Sequence, residues 1–384
     1  MSTIIRAAVA GAALCALHTG TSQAQVKIGI TVSQTGPAAP LGTSQKNSVG
    51  QLPKEAGGQN IEYVVFDDAT DPTKAVANAK KLITEEKVDY LIGSSASPAA
   101  LALVDVAAEN KIPLCAMTPD KGLVLPMDDK RKWVFKAPQN NTIMAEALAD
   151  HMVKNGVKTV AFLGYSDAYG SGWLTAIEEV FPAKGIKTLA VERFARADTS
   201  VTGQALKILA TQPDAVLIVA SGTIAVMPHK TLKDQGYTKP IYQTHGISTM
   251  EFVRVGGKDV EGTIFPAGPV VAANQLSDAN PIKKVALDYI KAYEEANKSP
   301  FAAFGAHLAD CVTLGLAALP AALKSAKPGS PEFRAALRDG IEGAKDVVAN
   351  HGVYTMSATD HAGLDKRSRV LIKVEGGAWK LIEE

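Results

Sequence analysis

Short β-rich runs alternate with helix-patterned segments along almost the whole chain, and this alternation limits the fold more than any other feature. The runs are Val26–Ile30, Ile61–Phe66, Tyr90–Ile92, Ile112–Met117, Thr159–Leu163, Ala215–Ala220 and Gly262–Phe265. Between them, Lys74–Glu86 sets Ala75, Ala79, Leu82 and Ile83 on one face of a helix. Ala145–Lys154 and Leu174–Phe181 repeat the pattern. Parallel strands cannot be joined by a tight turn; they need a crossover, usually a helix. Strand, helix and strand in succession therefore predict an α/β protein with parallel sheets wrapped by helices. The run AVLIVA at 215–220 is apolar without alternation, which suits a strand covered on both faces.

Three breaks interrupt the alternation: Lys136 to Asn141, Gly268 to Pro281, and His351 to Leu364. The second precedes two long helical stretches, Ile282–Asn297 and Phe301–Leu323. Three breaks in two α/β units predict a chain that crosses between two lobes three times. The last segment, Arg369–Lys373 and Trp379–Ile382 around Glu375-Gly376-Gly377, reads as a hairpin.

The first residues predict export. Arg6 precedes an apolar run from Ala7 to Leu17, and Ser22-Gln23-Ala24 offers small residues at −3 and −1 for cleavage after Ala24. That run is too short for a membrane span, which needs about 20 apolar residues. No later segment reads as a span either. The chain carries 40 Lys and Arg against 39 Asp and Glu, and cleavage removes only Arg6. A mature chain of balanced charge gives no footing for nucleic acid or an anionic membrane surface. Cys115 falls in a strand-like run and Cys311 in a helix-like one, far apart in sequence; an oxidising compartment permits a disulfide between them, and buried free thiols are the favoured reading.

Catalytic signatures do not appear. There is no phosphate loop, dinucleotide fingerprint, zinc-helix motif or nucleophile elbow, and the histidines beyond position 24 (151, 229, 245, 307, 351, 361) are not paired at metal-ligand spacing. Asp67-Asp68 with Asp71 lacks the other ligands of a calcium loop. It reads as a strand end followed by a helix cap, with Asp71 capping and Pro72 opening the helix. Neither a metal nor a cofactor is expected.

Several segments, in order, resemble the type I periplasmic binding proteins of the branched-chain amino acid class. They are VKIGITVSQTGPAAPLG, FDDATDPTKAVANAKKLI, VDYLIGSSASPAA, IPLCAMTPD, TVAFLGYSDAYGSGW, AVLIVASG and GVYTMSATDHAGLD. The resemblance covers nearly the whole mature chain. It implies two doubly wound parallel-sheet lobes joined by a three-crossover hinge, a periplasmic monomer, and partnership with the permease and ATPase of an ABC importer. With the breaks, it places one lobe at 25–139 and 272–352 and the other at 140–271 and 353–384. A branched-chain amino acid binding protein and a sensory subunit of the same fold are the rival readings, and an enzyme the more distant one.

The resemblance also implies a site. In doubly wound sheets ligands sit at the carboxyl ends of strands, where helix N-termini offer free N–H groups and partial positive charge to a carboxylate. Ser95, Ala96 and Ser97 lie in such a strand-to-helix turn. By the resemblance Ser97 holds the ligand carboxylate, while its local reading is a helix cap before Pro98. Thr118 matches a second contact. Asp120 stands where the family has a small hydroxyl residue; it accepts from a ligand hydroxyl, pairs with Lys121, or points away. Tyr169 matches an aromatic that closes over ligands. Ser221 and Gly222 follow a buried strand, and Leu41 lies where an aromatic is common. His245 occupies a turn in which amino-acid binders carry an acid for the ligand's ammonium. An imidazole cannot replace that acid, but it can donate to a carbonyl, hydroxyl or carboxylate. The expected ligand is thus a small carboxylate other than a standard α-amino acid, with aromatic and 2-oxo acids favoured.

Overall fold

The structure, a computed structural model, describes residues 25–384. The export segment expected at 1–24 lies outside the described residues.

The chain opens with β1 (Val26–Val32), α1 (Ala39–Ser48), β2 (Glu55–Ala56), β3 (Gln59–Asp67), α2 (Pro72–Thr84), β4 (Tyr90–Gly93), α3 (Ser97–Glu109), β5 (Leu114–Ala116) and β6 (Val134–Lys136). These strands form one sheet in the order β2-β3-β1-β4-β5-β6. It is parallel apart from the short β2, which pairs antiparallel with β3. Local chemistry starts α2: Asp71 accepts from the N–H groups of Thr73 and Lys74, and Pro72 occupies the first turn, as the sequence predicts. Ala75, Ala79, Leu82 and Ile83 then face the sheet and are buried. A leucine buried in this way contributes about 2 kcal/mol.

A second block runs α4 (Asn141–Lys154), β7 (Thr159–Tyr165), α5 (Ala168–Ala183), β8 (Lys187–Phe194), α6 (Thr202–Ala210), β9 (Ala215–Val219), α7 (Val226–Asp234), β10 (Ile241–Gln243), α8 (Met250–Gly256) and β11 (Ile264–Ala267). The chain returns to the first lobe with α9 (Ile282–Asn297), α10 (Ala303–Ser325) and α11 (Pro331–Glu342), then β12 (Val347–Val348) and β13 (Val353–Tyr354), a two-stranded ribbon. It ends in the second lobe with β14 (Val370–Glu375) and β15 (Ala378–Glu383). The second sheet is ordered β15-β14-β11-β10-β9-β7-β8, parallel from β11 to β8 and antiparallel at the terminal hairpin. The chain passes between the sheets after β6, after β11 and after β13. Two parallel-sheet lobes are thus observed, as the alternation predicts.

The crossing segments are packed together. Gln139 donates to the carbonyls of His351 at 3.1 Å and Ser368 at 2.5 Å. The Tyr354 hydroxyl reaches the Ala137 carbonyl at 2.7 Å. Beneath them Asp310 of α10, fully buried, accepts from the backbone of Asn350 and His351 and lies 2.9 Å from His351 Nδ1.

Two expectations are corrected. Cys115 and Cys311 form a disulfide, not two free thiols. Their separation of 196 residues hides the fact that α10 lies against β4 and β5. Second, α10 is long and apolar enough, at 23 residues, to cross a membrane. Its apolarity serves the core instead: Phe304, Leu308, Val312, Leu314, Leu319 and Ala322 are all buried.

Candidate functional site

The carboxyl ends of strands from both sheets meet across one cavity. From the first lobe come Leu41 of α1, Ser95, Ala96 and Ser97 at the β4–α3 turn, Met117, Thr118 and Pro119 after β5, and Phe304 and His307 of α10. From the second come Tyr169 of α5, Arg196 after β8, Ser221 after β9, and His245 and Gly246 after β10. About 360 Å³ of space, open solvent at the mouth included, lies between the cavity walls, but only about 20 Å³ has room for the centre of a water molecule. That smaller space suits about one water, so the walls are drawn close and must part to admit a larger molecule.

The structure brings eight of the ten expected residues to this cavity and gives them different states. Ser97 is the first residue of α3; the capping position is Ala96, which has no side chain to cap with. The Ser97 hydroxyl is buried without a hydrogen-bond partner, as is that of Thr118. The Ser97 hydroxyl at the uncapped N-terminus of α3 and the Thr118 hydroxyl after β5, both buried and unpaired, offer hydrogen bonds to a ligand. Ser95 differs: its Oγ donates to Gln45 at 2.5 Å and accepts from the Ser33 N–H at 2.9 Å, so the hydroxyl serves its own lobe. Behind this turn Asp68 accepts from the hydroxyls of Thr31, Ser33 and Ser94, tying the ends of β1 and β4 together.

Tyr169 is buried, and its hydroxyl lies 2.7 Å from Thr244 Oγ1, so it presents its ring rather than its hydroxyl. His245 packs near Tyr169 and Trp173, with ring centroids 6.4 and 5.6 Å away. Burial, reinforced by the charge of Lys136, pushes its pKa down to about 3, so the imidazole is neutral. Its Nδ1 has no partner. Ser221 Oγ accepts from Arg196 at 3.1 Å.

Two expected residues do not line the cavity. Asp120 caps the following 3-10 turn, with its carboxylate 2.7 Å from the Gly122 N–H. Its other oxygen lies against the second lobe, where a Cβ added to Gly172 of α5 would stand 2.9 Å from it. Of the three readings of Asp120, pointing away is the one observed. Gly222 is left-handed at φ +56, and a Cβ there would lie 3.3 Å from Pro40 and 3.6 Å from Leu41. Glycine at this position lets the second lobe come close to α1.

Sequence reasoning missed Arg196, Phe304 and His307. Arg196 donates to Asp167 at 2.6 Å, and its guanidinium stacks 4.0 Å from the Tyr165 ring centroid. His307 has an unpartnered Nδ1 and stacks 4.0 Å from the His351 ring. Burial first, and then the nearby His351 and His245, hold it well below the usual histidine range. Among the described residues, no Asp or Glu lines the cavity. It combines a guanidinium, two neutral imidazoles, hydroxyls, backbone N–H groups and apolar walls. That set can donate to an anion and surround an apolar body, and among the described residues it supplies no carboxylate to pair with an ammonium.

Comparison with known proteins agrees with the architecture. The model of a family described as periplasmic binding proteins matches residues 25–372. An extracellular ligand-binding receptor from Rhodopseudomonas palustris HaA2 is 49% identical, with a TM-score of 0.91 over 94% of this chain and 100% of that one. A Leu/Ile/Val-binding protein homolog from Brucella melitensis biotype 1 is 25% identical over 351 residues, 88% of each chain. A solute-binding protein of an R. palustris ABC transporter, solved with benzoate, is 23% identical, with a TM-score of 0.79 over 94% of this chain and 96% of that one. At that identity the likeness is one of fold.

Proposed function

The chain belongs to the periplasmic binding protein family, and on that premise we propose that it is the extracytoplasmic substrate-binding component of an ABC importer, capturing a small aromatic or 2-oxo carboxylate between its lobes. Members of this family bind small ligands and work with ABC transporters. Cleavage after Ala24 releases the mature chain into the periplasm, where a membrane permease and ATPase receive the loaded form.

One observation carries the ligand class. The buried, unpartnered hydroxyls of Ser97 and Thr118 offer anchors for a carboxylate, while among the described residues no acidic side chain lines the cavity to meet an ammonium. A site without that acid discriminates against amino acids, because their ammonium would be desolvated unpaired. Capture proceeds by hinge closure. The ligand bridges Ser97 and Thr118 on one wall and Arg196 and His245 on the other, and so shifts the population toward the closed form. No covalent step is needed.

The named relatives divide on the ligand: one is called a Leu/Ile/Val-binding protein homolog and another was solved with benzoate. Mass spectrometry of small molecules released by denaturing the purified protein separates the readings. The proposal expects a carboxylate without an amine. Recovery of leucine, isoleucine or valine would overturn it.

A further inference from the structure

We propose that Lys136, buried behind the cavity wall, is the counter-charge that selects an anionic ligand, and that binding is accompanied by uptake of a proton at this residue. The inference rests on the carboxylate reading above and adds a residue and a coupling to it.

Lys136 is the last residue of β6, at the first crossing between lobes, and is 0% exposed. Its ammonium donates to two carbonyls, Pro119 at 3.0 Å and Pro138 at 2.9 Å. Pro119 lines the cavity beside Thr118. The lysine is thus one backbone layer from the ligand space and tied to the crossing segment. Lys136 has no ion-pair partner among the described residues. A buried cation held only by neutral acceptors is costly unless an anion compensates it.

The surrounding charged groups leave that role open. Asp120 and Asp360 both pull the lysine toward its charged form. One oxygen of each is engaged elsewhere, Asp120 with Gly122 N–H and Asp360 with Ala362 and Gly363 N–H, and neither carboxylate forms an ion pair with Lys136. The His361 carbonyl accepts from the Lys136 backbone N–H, and its ring stacks on Phe135 and approaches Glu342, which pairs with Arg338. His351 is held by Asp310. His245 and His307 both feel the Lys136 charge and are themselves held low. Arg196 is balanced by Asp167.

Burial pushes the Lys136 ammonium down to about 7, against the pull of Asp120 and Asp360. Near neutrality the empty protein is therefore a mixture of ammonium and amine. An anion placed in the cavity favours the ammonium. An opposite charge at short range moves a pKa by about 1–3 units. The sign follows from linkage: the bound-state pKa is the higher one, so affinity is full at low pH and falls as pH rises through the window from about 7 upward. A one-unit rise means about a tenfold loss of affinity between pH 6 and pH 9, with roughly half a proton taken up near pH 7.5.

The test is titration calorimetry of the mature protein with benzoate and with phenylpyruvate at pH 6 to 9, in phosphate and in Tris, whose ionisation enthalpies differ. The proposal expects buffer-dependent heats that report proton uptake, and binding about tenfold weaker at pH 9 than at pH 6. In Lys136→Met both effects disappear and affinity at pH 6 falls about tenfold. Wild-type binding without proton uptake, or uptake that persists in Lys136→Met, overturns it. If neither probe binds, the ligand-class reading fails and the lysine is judged on the ligand-free protein. An uncompensated buried ammonium then gives Lys136→Met a stability gain that is largest below pH 7 and shrinks toward pH 10. A difference flat across that range overturns the proposal, and the wild-type heats decide it if the variant does not fold.

Discussion

Ser97→Ala separates a ligand contact from a structural one, because the two roles predict opposite effects. The Ser97 side chain is 1% exposed, and its hydroxyl finds no partner in the protein. If that hydroxyl donates to a ligand carboxylate, its loss removes a hydrogen bond to a charged acceptor, worth about 1.5–3 kcal/mol. At about 1.4 kcal/mol per decade, Kd rises roughly 10- to 150-fold. In the ligand-free protein the same substitution removes an unsatisfied buried hydroxyl and places a better helix former in α3, so stability stays level or rises. Calorimetry with the ligand and denaturant melts without it give the two readouts. If Ser97 were a structural cap, ligand-free stability would fall by about 1 kcal/mol while affinity barely moved. That pair of results would refute the reasoning.

Four further outcomes follow. Arg196→Met leaves Asp167 without its 2.6 Å ion pair and removes the one guanidinium that lines the cavity among the described residues, so affinity should fall about 10- to 100-fold by titration. Replacing Cys115 and Cys311 together by alanine should lower ligand-free stability by about 2–5 kcal/mol, and alkylation of the unreduced mature protein should label no thiol. Saturating ligand should reduce the radius of gyration in small-angle scattering. Lys121→Ala, which cuts the 2.6 Å pair with Glu179 across the lobes, should weaken binding by no more than about fivefold, since an exposed pair is worth about 0–1 kcal/mol.

The sheets were legible because their strands are buried on both faces and read as continuous apolar runs. All seven runs named from the sequence overlap observed strands, and Ile282–Asn297 is a helix end to end. Of the strands outside those runs, the one that bears most on the site is β8, KTLAVERF. It lies at the sheet edge, half-exposed, and its apolar and polar residues do not separate cleanly. Missing β8 also meant missing Arg196, which the turn after this strand delivers to the cavity. A cation two residues beyond a strand end was the available signal. His307 was hidden for a different reason. It sits in an apolar helix, where an isolated histidine reads as core, and only the approach of α10 to the β4–α3 turn makes it part of the site. Contacts between distant segments were least legible: the disulfide, the outward turn of Asp120 against Gly172, and the burial of Lys136 depend on how lobes and helices stack, which local pattern does not encode.

The central claim is that the cleft takes a carboxylate without an ammonium. Titration calorimetry of the mature wild-type protein at pH 6 with leucine, isoleucine, valine, benzoate and phenylpyruvate tests it directly. The account predicts saturable binding of at least one of the two acids and no measurable heat from the three amino acids. Tight binding of leucine with none of either acid would contradict it.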